Sequence, residues 1–277
     1  MTMNILLLCI LIPVGIVLLY LYMIMPRLRV RPEMRELRNW LYAHRGLHDN
    51  TGDAPENSLL AFQKAVDAGF GIECDVQLSK DDVPVVFHDA TLERVCGVPG
   101  KVKDYTYEEL RRFRLCGTQQ KIPHISEVLE VLGGKVPMIL EYKLDSASVR
   151  ICRIVDPLLQ AYQGQYCIES FQSHALLWYR YHRPEVIRGQ LAMRFKIENY
   201  RGPIYFFLKN LLFNHAVRPD FIAFDRRNPE VLSRRLCRSL YHNTAVAWTI
   251  KSAQQLEEAK KKFDMFIFDS FVPEEKH

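Results

Sequence analysis

A chain of 277 residues with 48% hydrophobic and 25% charged side chains carries enough apolar material for one large domain or two small ones. A net charge of +5, with no run of Lys and Arg interleaved with aromatics, argues against a nucleic-acid partner. Membranes and small anionic substrates stay open as partners, and nothing in the sequence names a protein partner.

The first element is apolar. After a short tail, residues 1–3, Asn4 to Met25 contain no charged residue. At ~1.5 Å rise per residue this stretch spans the ~30 Å hydrocarbon layer of a bilayer. Pro13 and Gly15 are compatible with a spanning helix. A cleaved signal peptide is the alternative, but no Lys or Arg precedes the apolar core, the core is long, and bulky Leu, Tyr and Met fill its end. The retained anchor is therefore preferred. Residues 26–39 form a basic juxtamembrane segment with Arg27, Arg29, Arg31, Arg35 and Arg38, which predicts that the domain after it lies on the cytoplasmic side of a single-pass span. The seven scattered cysteines show no metal spacing, and Cys74, Cys152 and Cys167 sit in apolar patterns as expected of buried free thiols.

From residue 40 to 270 short β-rich runs alternate with helical stretches. The expected strands are 41–43, 71–77, 136–142, 166–170, 186–190, 221–224, 245–249 and 265–269. Between them helices carry cap signals: Asn57 ahead of Leu59, Phe62 and Val66 with Gly69 at the end, Thr106 with Glu109, Asn228-Pro229, and Ser252 with Gln255. Eight strands with intervening helices predict an α/β fold, a TIM (β/α)8 barrel. Pro84–His88 follows the second strand after too few residues for a parallel crossover, so the two must form an antiparallel hairpin. Residues 89–135, with helices expected at 107–113 and 126–132, are a small insertion, and 271–277 form a C-terminal tail.

Strand ends on the C-terminal face of such a barrel collect catalytic groups. Here they carry His44-Arg45, Glu73 and Asp75, Glu141 and Lys143, Glu169-Ser170, Asp225 and Trp248. Glu73 and Asp75 stand two apart on a strand and share one face, with Cys74 turned the other way. Two carboxylates on one inward face repel unless a cation lies between them, and an oxygen donor set suits Ca²⁺ or Mg²⁺. Pairing of one carboxylate with Arg45 or Lys143 in a purely structural network is the alternative. Glu141 and Lys143 repeat the spacing, with Glu141 a third ligand and Lys143 a point charge for a phosphate oxygen. Arg45 offers a bidentate donor to phosphate. His44 and His88 supply the two proton-transfer groups that phosphodiester hydrolysis needs. The other histidines, His48 and His124 among them, are assigned no catalytic role.

The motifs AHRG (43–46), PENS (55–58), ECDVQLSKDDVPVVFHD (73–89) and LEYK (140–143), in this order, resemble those of the glycerophosphodiester phosphodiesterase family. TYEEL (106–110), KIPHISEVLE (121–130), ESF (169–171) and AWT (247–249) extend the resemblance over residues 41–269. It implies a barrel of the phospholipase-C-like phosphodiesterase type and metal-dependent release of sn-glycerol 3-phosphate, or a lysophosphatidate, from a glycerophosphodiester. In that mechanism a substrate hydroxyl attacks phosphorus and water opens the resulting cyclic phosphate. Carried over by motif, His44 and His88 are base and acid, Glu73, Asp75 and Glu141 hold the metal with His88 a further candidate ligand, and Arg45 and Lys143 meet the phosphate. Glu56 and Asn57 organise the site, and Glu169, Ser170, Phe171 and Trp248 are candidate substrate contacts. PENS replaces the common PENT. Ile250-Lys251 stand where many members carry a nearby Asn.

Substrate choice lies between a glycerophosphodiester and a lysophospholipid, the second cleaved in lysophospholipase D fashion. The anchor and the apolar segment Pro203–Phe213 favour lipid if that segment forms an acyl-chain wall or enters the interface. An outer helix packed on the barrel is the other reading of the same residues. A phospholipase C or sphingomyelinase D type barrel and an inactive membrane-bound binding module are the remaining alternatives; every motif position being filled argues against the last.

Overall fold

The β-rich runs close into a ring. In the computed structural model, which describes residues 2–144, 146–193, 203–228 and 230–275, the strands are β1 (Leu41–His44), β2 (Gly71–Leu78), β3 (Pro84–Val86), β4 (Met138–Tyr142), β5 (Tyr166–Ser170), β6 (Arg188–Ala192), β7 (Phe221–Asp225), β8 (Thr244–Ile250) and β9 (Met265–Phe268). From β4 to β9 each pairs in parallel with the next, β4 pairs with β2, and β1 joins β2 to β9. The result is a closed eight-stranded parallel barrel with helices outside, the TIM architecture that the alternating pattern predicts.

Burial on both faces explains the near-continuous apolar strands. Tyr42, Ile139, Cys167, Ile187, Phe221, Val246 and Met265 fill the interior. Phe62, Cys74, Leu140, Ile168 and Phe224 pack between strands and helices. Gly189 makes room for this filling: a Cβ there would lie 2.0 Å from the Phe221 ring. Met34 and Leu37, on the short helix Pro32–Leu37, plug the end where the strands begin, and the Tyr42 hydroxyl donates to Leu37 O at 2.9 Å. We call that end the foot, and the end where strands finish the mouth.

The hairpin forms as expected, and its register decides where His88 goes. β1 occupies one edge of β2 only as far as the pair His44–Glu73. Beyond it β3 takes the same edge, pairing Val86 with Val76 and Pro84 with Leu78. The chain then runs back, Phe87 N donates to Asp75 O at 3.0 Å, and His88 arrives beside the middle of β2. The following excursion has its own small core of Val85, Phe87, Leu92, Val102, Leu110 and Ile122. Helix Ile125–Leu132, inside the stretch expected as an insertion, instead buries Ile125, Val128 and Leu132 in the main core.

Three cap expectations need correction. Ser58, not Asn57, caps helix Leu59–Ala68 by accepting from Ala61 N, which leaves the Asn57 amide for the site. Ser252 accepts from Gln255 N, but Gln255 returns its carbonyl to Lys251 N rather than to Ser252, so the box is half made. The helix expected from Asn228-Pro229 starts later, at Leu232 with Val231 as cap, because the chain first turns back through an Asn228 N to Asp225 O bond; Pro229 lies outside the described residues. The Thr106–Glu109 box is complete. The helix expected at 107–113 shortens to Tyr107–Leu110.

At the N-terminus helix Thr2–Ile24 includes Leu7–Ile24, of mean hydropathy 2.7, long and apolar enough for a membrane span or a signal sequence. Its last turns are docked. Tyr241 OH donates to Leu21 O at 2.9 Å, Asn214 Nδ2 to Ile24 O at 2.9 Å, and Arg27 N to Pro219 O at 3.0 Å. All three partners precede the starts of β7 and β8, so the apolar helix joins the barrel at its foot. The juxtamembrane arginines also make fold contacts: Arg27 and Arg31 pair with Asp220, and Arg38 Nε donates to Thr244 Oγ1 at 3.0 Å. Pro203–Phe213 divides between its two readings. Leu211 and Leu212 are buried in the core, whereas Ile204 and Phe206 on helix Pro203–Lys209 are exposed.

Candidate active site

Strand alternation turns His44, Glu73, Asp75, Glu141 and Glu169 inward at the mouth, one layer above the apolar filling. All four carboxylates are buried, and one oxygen each from Glu73, Asp75 and Glu141 lie within 4.8 Å of one another. Two cations answer them. Lys143 Nζ stands 2.7 Å from Glu141 Oε1 and 3.1 Å from Asp75 Oδ1. Arg45 Nε stands 3.6 Å from Asp75 Oδ2, but its Nη1 donates to Glu56 Oε1 at 2.6 Å. Asp75 therefore keeps its charge: burial works to raise its pKa, yet Lys143, His88 and Arg45 hold it well below the carboxylate range. Burial and the neighbouring Asp75 push Glu73 well above that range. Glu141 and Glu169 are raised as well, by burial first. Glu169 Oε2 has no hydrogen-bond partner among the described residues.

This set holds more carboxyl groups than its own cations can pair, in an all-oxygen donor cluster shut away from water. The residues fit a hard divalent cation on Glu73, Asp75 and Glu141.

Both histidines lean on a carboxylate that the sequence reading passed over. His44 Nδ1 lies 3.3 Å from Asp269 Oδ2, and its Nε2 faces Glu73 Oε2 at 3.9 Å. His88 Nδ1 lies 2.6 Å from Asp89 Oδ1. A carboxylate on Nδ1 fixes the proton there and leaves Nε2 for chemistry. Burial, against the pull of Asp269, lowers the His44 pKa to about 4, so its ring is neutral near pH 7. Asp269 is the inward residue after β9 and also meets His48 Nε2 at 3.3 Å, giving that histidine a place at the site. Asp269 was legible as another inward carboxylate at a strand end, and Asp89 as the neighbour of His88.

A turn built from left-handed residues brings the remaining groups in. Arg45 and Gly46 adopt φ of 56° and 83°, which swings the chain off β1, and Gly46 lies so near the Leu59–Ala68 helix that a Cβ would approach Ala61 C to 2.8 Å. Arg45 N then donates to Glu73 Oε2 at 3.1 Å. Asn57, also at positive φ, donates to Asp75 Oδ2 at 2.8 Å. Glu56 binds Arg45 and takes two bonds of 2.7 Å from Arg94, which in turn holds Asp89 at 2.6 Å. Arg94 thus ties Glu56 to the His88 dyad, a link no motif announced. Despite burial, Arg94 and Arg45 bring the Glu56 pKa down to about 2.

Of the candidate substrate contacts, Phe171 and Trp248 face each other edge-on, ring centroids 5.8 Å apart, at the mouth. Ser170 is turned away, donating to Tyr142 O at 2.8 Å. Asp225 is taken up by Arg227, 2.5 Å away. His124 caps the Ile125–Leu132 helix. Beside the cluster a cavity of about 630 Å³ is lined by His88, Lys143, Lys80, Lys101 and Arg150 among others, a surface suited to an anion.

The family model described as the glycerophosphoryl diester phosphodiesterase family matches residues 44–186, more than half of the chain. The chain belongs to that family. A glycerophosphodiester phosphodiesterase of Bacillus altitudinis is 39% identical over 118 residues, 40% of this chain and 46% of the relative. One from Caldanaerobacter subterraneus is 32% identical over 154 residues, 50% of this chain and 61% of the relative. The chain thus spans about half to three-fifths of the length of these curated relatives. Among solved structures, an Oleispira antarctica phosphodiesterase in complex with the product sn-glycerol-3-phosphate superposes with a TM-score of 0.67 at 23% identity, covering 83% of this chain and 92% of that one. The Thermotoga maritima glycerophosphodiester phosphodiesterase gives 0.63 at 24% identity, covering 82% and 93%. These two likenesses speak for the fold.

Proposed function

We propose that this chain hydrolyses glycerophosphodiesters to sn-glycerol 3-phosphate and an alcohol. The observation that carries the reading is the flanking of one buried carboxylate trio by two carboxylate-oriented histidines. His44 approaches from the Glu73 side, and His88 acts on Asp75 and Glu141. Two of the matched relatives bear the activity in their names, and the Oleispira neighbour was solved with sn-glycerol-3-phosphate.

In this reading Glu73, Asp75 and Glu141 hold Ca²⁺ or Mg²⁺, which when bound supplies positive charge against the phosphate oxygens. His44, neutral near pH 7 and oriented by Asp269, takes the proton from the attacking hydroxyl. His88, oriented by Asp89, gives a proton to the leaving alcohol oxygen, and water then opens the resulting cyclic phosphate to sn-glycerol 3-phosphate. Lys143 turns from the carboxylates to a phosphate oxygen, and Arg45, held by Glu56, offers its remaining donors to the same group. Asn57 fixes Asp75. Phe171 and Trp248 form an apolar wall for the glycerol or alcohol moiety, and Glu169 lies beneath it.

We read the apolar N-terminal helix as a membrane anchor, with the barrel, residues 40–270, on the cytoplasmic side by the Arg27–Arg38 charge rule. Because that helix joins the foot, the mouth opens at the far end of barrel strands four to eight residues long, about 13–26 Å away at ~3.3 Å per residue. This favours a water-soluble diester over a lysophospholipid held in the same bilayer. The exposed Ile204 and Phe206 are what supports the lysophospholipase D alternative. Product analysis of purified full-length protein on glycerophosphocholine and lysophosphatidylcholine decides between them. Glycerol 3-phosphate should form from the first, cease with EDTA, return with added Ca²⁺ or Mg²⁺, and be absent in Glu141→Ala. Turnover that survives both EDTA and Glu141→Ala rules the metal reading out.

A further inference from the structure

The foot of the barrel holds a second cavity, of about 420 Å³, opposite in charge to the carboxylate cluster at the mouth. Four of its lining residues are Arg27, Arg180, Arg188 and Arg218; Met25, Pro26 and Leu28, which follow the apolar helix, complete one wall. Arg31 stands close by. Against these five guanidiniums there is one carboxylate in reach of several of them, Asp220, 2.8 Å from Arg27 Nε and 3.0 Å from Arg31 Nε. Glu185, the next acid, is held by Arg183.

Most of the other partners are neutral. Arg180 donates to His215 O at 3.0 Å, Arg218 to Met25 O at 3.2 Å, and Arg188 Nε to Val217 O at 2.8 Å. Carbonyls orient a guanidinium without cancelling its charge. Arg188 is 1% exposed, and its Nη1 has no partner among the described residues. Burial, with Arg27, Arg31 and Arg180 alongside, lowers its pKa to about 10, which still leaves it a cation. An unpaired donor on a buried cation at a cavity wall costs folding free energy unless an anion meets it.

We propose that this cavity binds a phosphate group, presented by the headgroup of an anionic lipid in the membrane that the apolar helix enters. Arginine matches phosphate with paired donors, and a pocket within a few residues of the end of a span lies in the headgroup layer. The site would tie the barrel to the bilayer by its foot, independently of turnover at the mouth.

The test uses the full chain in nanodiscs of phosphatidylcholine alone or with phosphatidylglycerol, following thermal unfolding by tryptophan fluorescence. A parallel arm titrates inorganic phosphate into the detergent-solubilised chain at constant ionic strength. The expected result is a Tm higher by about 2–4 °C in the anionic discs. That gain should vanish in Arg180→Gln and in the Arg27→Gln/Arg218→Gln double variant. It should persist in Arg29→Gln/Arg35→Gln, whose exposed arginines lie outside the cavity. These rim variants serve even if Arg188→Met fails to fold. Protection by inorganic phosphate with none from anionic lipid, lost in the same variants, keeps the phosphate site and overturns the lipid as its source. No gain in either arm, or a gain that the cavity variants retain, overturns the proposal.

Discussion

At the mouth, Glu73, Asp75, Glu141 and Glu169 crowd around Lys143 and Arg45; at the foot, Arg27, Arg31, Arg180, Arg188 and Arg218 crowd around Asp220. Both ends bury more ionisable groups of one kind than their own side chains can pair, and both sit on the same strands. The mouth is built on inward-facing strand residues, so one oxygen each of Glu73, Asp75 and Glu141 is held within 4.8 Å of the others. The foot is built on loops, a helix, the first residue of β6 and the juxtamembrane segment, so its bases spread over a wider cavity. Concentrated charge suits a small hard cation, and dispersed guanidiniums suit a larger, oxygen-rich anion.

Substitutions at either end can separate these roles. The largest effect is expected at the mouth, where His88→Ala should lower kcat by ~10²–10⁴-fold. Melting should barely change, and a coupled assay for glycerol 3-phosphate reads the loss. If His88→Ala keeps near-full turnover, the two-histidine scheme is wrong. The mirror experiment at the foot is Asp220→Asn, which strands at least two arginines and should cost about 3 kcal/mol in denaturant unfolding. Turnover at saturating substrate should be preserved; a comparable loss of kcat would mean that the two ends are coupled.

A smaller effect is expected from Asp269→Asn, which keeps the shape but loosens the hold on His44, at roughly 10–100-fold in kcat by analogy with other histidine-orienting carboxylates. Because the imidazole loses its carboxylate, the acid limb of the pH–rate profile should move as well, which a merely structural role would not produce. The smallest concerns acid stability. With its folded pKa down to about 2 from 4.5, Glu56 contributes stability above its unfolded value, and that contribution is lost as pH falls towards 2. Wild type and Glu56→Gln should therefore differ in unfolding free energy at pH 6 and converge between pH 4.5 and 2.

The trio and both histidines could be found in the sequence because each is a polar intrusion at a strand end, and a parallel barrel turns such residues to one place. Asp89, Asp269 and Arg94 were missed for a different reason. Asp89 and Asp269 carried a local signal, as the neighbour of His88 and as an inward carboxylate after a strand, but only the closure of β9 onto β1 puts Asp269 beside His44, and nothing local marks Arg94 as more than a solvated guanidinium. Asn57 was named both as the residue ahead of a helix and, by resemblance, as a site-organising residue; the cap fell to Ser58, and the Asn57 amide nitrogen goes to Asp75.

The foot shows the same division. The sequence by itself determined an apolar helix, a row of arginines after it, eight strands and the acids at their ends, since these depend on residue type and on a period of two along a strand. It could not determine that Arg180, Arg188 and Arg218, from different parts of the chain, would meet Arg27 below the barrel, or that the helix would join the end opposite the mouth. Those are consequences of ring closure, in which residues far apart in the chain become neighbours because each strand must bond to two others. Tertiary structure alone decided that an arginine cluster stands at the end opposite those acids.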